Sequence, residues 1–188
     1  MKNIVIFASG NGSNAQNIAE FFATRQDARI AKIFCNKKNA YVFERAKNLG
    51  IPSRLITKEE FDSDAFVREL RETPADLIVL AGFLWLVPAR LVQAFPGRIV
   101  NIHPALLPKF GGKGMYGDNV HQAVIAAGET QSGITIHLID EHYDKGRTLF
   151  QARCSVEPQD TPETLAQKVH ALEYRHFPEE IANYLQTL

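Results

Sequence analysis

Residues 2–15 read KNIVIFASGNGSNA. Residues 4–8 form a continuous apolar run, and glycines follow at positions 10 and 12. An unbroken run of β-branched and aromatic residues suits a strand buried on both faces. Residues 15–24 then carry Ile18, Ala19, Phe21 and Phe22 at helical spacing, which gives one apolar stripe. A buried strand, a glycine turn and an amphipathic helix are the opening unit of a doubly wound α/β sheet. The glycines permit tight or positive-φ backbone. The helix behind them turns its free N–H groups and positive dipole end toward the loop. With Ser13 and Asn14 adding side-chain donors, the loop at 9–14 is a candidate phosphate cradle.

The same alternation continues outward. Strand-like runs at 30–35, 53–56, 77–81 and 99–102 are separated by helical stretches at 42–49 and 63–72, and by a short helix starting at Pro88. This β-α repetition predicts an open, mostly parallel twisted sheet with helices on both faces, in the Rossmann-like manner. The second half changes character. Residues 104–119 hold two prolines and four glycines, as a loop does. A helix at 120–127 follows. Alternating runs at 133–139 and 146–156, joined through Asp144-Lys145-Gly146, predict an antiparallel strand pair in the C-terminal half,. Residues 161–188 read as a long helical region interrupted near Pro178,. With no repeat and no linker, residues 1–188 read as a single domain.

Bulk properties narrow the function. Lys plus Arg equals Asp plus Glu at 21 each, for a net charge of +0. A general nucleic-acid or membrane-surface binder would carry a basic excess. The N-terminal run ends in a glycine turn and reads as a first strand, not a signal peptide. The longest apolar-rich run, LIVLAGFLWLVP, is too short to span a bilayer,. Cys35 and Cys154 lack the spacing of a metal or disulfide framework,. A cytoplasmic protein that binds neither nucleic acid nor membrane is expected, and its oligomeric state is left at monomer or homodimer.

Asn101 and His103, in NIHP, lie two apart at the end of a strand and so on one face,. In an open parallel sheet, ligands sit beyond the carboxyl ends of the strands. The glycine loop, Ala81-Gly82 and this pair can then surround one cleft. An amide N–H and an imidazole together suit stabilisation of an oxyanion formed from a carbonyl. A carboxylate to orient or charge the imidazole is available three times in the turn DEHYDKG, as Asp140, Glu141 and Asp144, and spacing does not choose among them. His137 reads as a packed histidine. His121, His142, His170 and His176 show no metal-ligand spacing,. Trp85 reads as a cleft wall or core residue. The loop also fits G-x-G-x-x-A, which keeps a dinucleotide oxidoreductase open, although Asn36-Lys37-Lys38 stands where a ribose-binding acid is expected,. A non-catalytic nucleotide-binding module stays open too.

Four segments in order, SGNGSN, VLAGF, NIHPALLP and YDKG followed by LFQ, together resemble the phosphoribosylglycinamide formyltransferase family, folate-dependent enzymes of purine synthesis. The resemblance covers essentially the whole chain. It implies transfer of a formyl group from 10-formyltetrahydrofolate, a co-substrate, to the primary amine of glycinamide ribonucleotide, with no metal. Residues 1–100 would be the phosphate- and nucleotide-binding half and 101–188 the catalytic and folate-binding half. Asn101 and a charged His103 would stabilise the tetrahedral oxyanion. Asp144, the carboxylate before Lys-Gly, would hold His103 charged and help move protons. The resemblance puts the phosphate on Gly12, Ser13 and Asn14 and the ribose on Glu173. It lines the folate slot with Phe83, Trp85, Leu86, Ile139, Asp140 and Asp144. Two departures stand out. Leu84-Trp85 replaces the Met-Arg common after AGF, and the loop with Lys113, Met115 and Tyr116 is longer, which suggests a lid.

Overall fold

A computed structural model describes residues 1–140, 144 and 146–188. Glu141, His142, Tyr143 and Lys145, all part of the turn read above, lie outside the described residues. The chain runs β1 (Lys2–Ala8), α1 (Ser13–Ala23), β2 (Ala28–Cys35), α2 (Val42–Asn48), β3 (Ser53–Leu55), α3 (Lys58–Phe61), α4 (Asp64–Glu72) and β4 (Leu77–Leu80). It continues through α5 (Ala89–Ala94), β5 (Ile99–His103), α6 (Asp118–Ala126), β6 (Gln131–Leu138), β7 (Thr148–Ser155) and α7 (Pro162–Leu185). The seven strands form one sheet in the order β3-β2-β1-β4-β5-β6-β7. The first five in that order pair in parallel, while β6 runs antiparallel to β5 and to β7.

β1 lies inside the sheet, between β2 and β4, and shows why its apolar run is continuous. Ile4, Ile6 and Ala8 face one core with α1, α2, α6 and α7. Val5 and Phe7 face a second core with α3, α4 and α5. Alternate side chains of a strand point to opposite faces, so a strand covered on both sides has no polar positions to spare.

Two helices depart from the sequence expectation. α3 is a four-residue helix not anticipated from periodicity. Its signal is a capping box, in which the Thr57 side chain accepts from the Glu60 N–H and the Glu60 side chain accepts from the Thr57 N–H,. The expected break near Pro178 is absent, and α7 runs unbroken for 24 residues. Proline removes the N–H that would bond the carbonyl four residues earlier, here that of Tyr174. That carbonyl accepts instead from Asn17 Nδ2 on α1 at 2.8 Å. The helix is thus repaired from outside, and buried Pro178 adds to the core.

Candidate active site

The carboxyl ends of β1, β4 and β5 open into one cleft of about 590 Å³. The site residues that the family resemblance implies all line it: Gly12, Ser13, Asn14, Phe83, Trp85, Leu86, Asn101, His103, Ile139, Asp140, Asp144 and Glu173.

The glycine loop precedes the first turn of α1. Gly12 caps α1 at φ 77° with no side-chain cap hydrogen bond among the described residues, and the first turn carries no acid. A Cβ on Gly12 would also collide with Val42 of α2, so the helix packing and the backbone angle both demand glycine there. Arg45 of α2 clamps the loop, donating from Nε to the Asn11 carbonyl at 2.9 Å and from Nη2 to Asn11 Oδ1 at 2.6 Å. Its guanidinium also donates to Gln16 Oε1. Asn14 turns its side chain away from the loop and donates through Nδ2 to Glu173 Oε2 of α7 at 2.8 Å. His170 Nδ1 donates to the same oxygen at 2.9 Å. That hydrogen bond to Glu173 raises the His170 pKa above the usual histidine range,.

The antiparallel switch at β5 assembles the other half. Register sets Asn101 opposite His137 and His103 opposite Thr135. His137 Nδ1 donates to the Leu138 carbonyl at 3.0 Å, and burial pushes its pKa down. The neutral ring therefore carries its lone pair on Nε2, which accepts from Asn101 Nδ2 at 3.2 Å,. This fixes the orientation of the Asn101 amide and leaves its second N–H unspent on His137. His103, 3% exposed, donates from Nε2 to the Phe110 carbonyl at 2.7 Å. Its Nδ1 stands 3.7 Å from Asp144 Oδ2. Asp144 Oδ1 lies 3.6 Å from His137 Nε2, and Oδ2 accepts from the Gly112 N–H at 2.9 Å. Asp144 thus touches both histidines. Asp140 lines the cleft as well, and Glu141 is outside the described residues.

Thr135 and Gln151 hold the turn after His103. Thr135 Oγ1 donates to the Ala105 carbonyl at 2.7 Å and accepts from the Leu107 N–H at 3.0 Å. Gln151 Nε2 reaches both the Leu107 carbonyl and Thr135 Oγ1. On the opposite wall, Phe83 meets Trp85 edge-on at 5.8 Å and Phe7 at 5.3 Å. The cleft wall is therefore continuous with the second core. Ser9 joins β1 to this wall by accepting from the Leu84 N–H at 2.9 Å. Met115 of the long loop packs against the first core.

Two histidines in the cleft escaped the sequence reading, which tested them for metal spacing alone. They are His121 and His170, and only the approach of α6 and α7 brings them there. Among the described residues, no group of three His, Cys, Asp or Glu is arranged to hold a metal ion. No helix among the described residues is long and apolar enough to cross a membrane.

A glycine loop and an Asn-His-Asp cluster share one edge of a mixed α/β sheet. The chain belongs to the formyl transferase family, whose profile matches residues 2–181. It is 43% identical over 187 residues to the chloroplastic phosphoribosylglycinamide formyltransferase of Arabidopsis thaliana, covering 96% of this chain and 64% of that protein. It is 38% identical to the phosphoribosylglycinamide formyltransferase of Bacillus subtilis, covering 98% of this chain and 95% of that protein. The crystal structure of the phosphoribosylglycinamide formyltransferase from Streptococcus pneumoniae superposes with a TM-score of 0.85 at 40% identity, covering 97% of this chain and 98% of that one.

Proposed function

We propose that this protein transfers the formyl group of 10-formyltetrahydrofolate to the primary amine of glycinamide ribonucleotide. The observation that carries the proposal is the convergence of Asn101, His103 and Asp144 in the cleft that the glycine loop closes, in a chain of the formyl transferase family. The ribonucleotide phosphate binds the free N–H groups of Gly12, Ser13 and Asn14 at the start of α1. Because the Asn14 side chain is committed to Glu173, Asn14 serves the phosphate through its backbone. Glu173 takes the ribose. The folate lies along the wall of Phe83, Trp85 and Leu86 and reaches Ile139 and Asp140.

The amine attacks the formyl carbon and the carbonyl oxygen takes up charge. Asn101 donates its remaining N–H to that oxygen, and His103 donates from Nδ1. Its Nε2 is held by the Phe110 carbonyl, so Nδ1 is the edge left for the substrate, beside Asp144. Preset donors of this kind stabilise charge as it develops without reorganising at that moment. The attacking amine then loses a proton, the bond from the formyl carbon to the folate nitrogen breaks, and that nitrogen takes up a proton. Asp144 is the nearby carboxylate for that exchange. The free thiols of Cys35 and Cys154 suit a reducing compartment, and a cytoplasmic location is part of the proposal.

The test is formyl transfer by the purified protein with both substrates. His103→Ala is expected to lower kcat by about 10²–10³, the usual effect of removing one oxyanion donor, with ribonucleotide binding nearly unchanged. Undiminished turnover in the variant would remove His103 from the reaction. No transfer by the unaltered protein would remove the proposal itself.

A further inference from the structure

His121 is a buried imidazole in the cleft with no role in the chemistry above. It lies on α6, is 4% exposed and lines the same cavity as His103 and Glu173. Its Nδ1 is fully buried and has no hydrogen-bond partner among the described residues. Buried polar atoms are nearly always satisfied, by protein or by something bound. The ring senses His170 and Glu173 from α7, His103 from β5 and Asp118 from its own helix. Burial, the largest of these influences, pushes its pKa down and keeps it neutral,. His121 is thus an uncharged hydrogen-bonding group within electrostatic reach of both Glu173 and His103.

We propose that His121 is a specificity-determining residue that hydrogen-bonds the carboxamide of the ribonucleotide through Nδ1. The inference rests on the proposed function. There the phosphate sits at the glycine loop, the ribose at Glu173 and the reacting amine at Asn101 and His103. The group of glycinamide ribonucleotide between ribose and amine is its secondary amide, and His121 lines the cavity within electrostatic reach of the residues assigned to either end of it. A neutral ring suits the group. Nδ1 accepts from the amide N–H in one tautomer and donates to its carbonyl in the other, and neither arrangement places a charge beside the reacting amine. A ligand that ends at the ribose leaves Nδ1 unsatisfied, which is how buried polar groups discriminate.

The experiment is calorimetric titration of the whole protein with glycinamide ribonucleotide and, separately, with ribose 5-phosphate, which lacks the amide. His121→Leu is expected to weaken glycinamide ribonucleotide by about 5- to 10-fold, the worth of one neutral hydrogen bond, and to leave ribose 5-phosphate unchanged. His121→Asn, whose amide returns a polar atom near the Nδ1 position, is expected to restore most of the loss. Equal affinity of His121→Leu and the unaltered protein for glycinamide ribonucleotide overturns the proposal. So does an equal loss for both ligands, which assigns the ring to the ribose or to packing. Should His121→Leu not fold, ¹⁵N NMR of the unaltered protein decides. The His121 Nδ1 resonance must move with glycinamide ribonucleotide and not with ribose 5-phosphate. An unaltered protein that fails to bind glycinamide ribonucleotide indicts the formyltransferase reading instead, since no His121 variant enters that comparison.

Discussion

His137 shows how one side chain in the site is set by its neighbours. Its Nδ1 is bound to the Leu138 carbonyl and its Nε2 accepts from Asn101. Protonation of Nε2 would break the second bond and turn the Asn101 amide. Burial lowers the folded pKa of His137 below the ordinary histidine value of 6.5. The unfolded chain therefore takes up a proton that the folded one refuses, and stability falls as pH drops below about 6.5 toward the folded value. His121 acts in the same direction and His170 in the opposite one. His137→Gln keeps an acceptor for Asn101 and removes the titration. Urea unfolding at pH 7.5 and 5.5 should show the unaltered protein losing stability on acidification and His137→Gln losing less. At this scale the sequence was informative about which residues gather in the cleft, because Asn101 and His103 sit at a strand end beside a glycine loop. It was silent on His137 as their neighbour. Its place opposite Asn101 depends on β6 pairing with β5, a long-range choice that no local pattern encodes.

Among the elements, α7 relies on a contact from outside itself. The Tyr174 carbonyl freed by Pro178 is bound by Asn17. Asn17→Ala is expected to cost about 1 kcal/mol, one net hydrogen bond. With Pro178→Ala in place the helix supplies its own N–H and the cost of Asn17→Ala should shrink. A double-mutant cycle by urea unfolding measures this coupling, and simple additivity would sever the two residues. The start of α7 is held differently. Asp160 accepts from Lys168, from the Glu157 N–H and from Thr164. Its pKa is lowered from 3.8 to about 2, chiefly by the Lys168 hydrogen bond. This contribution is present above pH 3.8 and lost as pH falls through about 2,. Asp160→Asn should therefore lower Tm at neutral pH and have little effect near pH 2, as circular dichroism melts would record. The long periodic elements were legible because burial on both faces writes itself into β1 and β4. α3 was not, since four residues carry no period. Continuity across Pro178 was not either, since the compensating donor lies 157 positions away.

On the scale of the whole molecule, the sheet joins a parallel half that carries the glycine loop to an antiparallel half that carries His137 and Thr135. The aromatic wall of the cleft is also the second core, through Phe7, Phe83 and Trp85. Ligand binding should therefore register as global stability. Glycinamide ribonucleotide at about 100 times its Kd should stabilise by about 2.7 kcal/mol. For a chain of this length that is a rise in Tm of about 5–10 °C, and no shift in a thermal melt would contradict binding. The parallel half was readable from β-α repetition, and the antiparallel pair from alternation. How the two halves join was not readable, since a register between distant strands is set by packing alone.

The hydrogen bond from Asn14 to Glu173 spans 159 positions, and this has a consequence for biosynthesis. The glycine loop leaves the ribosome 159 residues ahead of Glu173. A nascent chain with α7 still in the exit tunnel has the early strands in hand but only part of its nucleotide site. Leu165, Val169 and Phe177, which seal the first core, are missing as well. Ligand capture and closure of that core therefore arrive together, once α7 has left the tunnel.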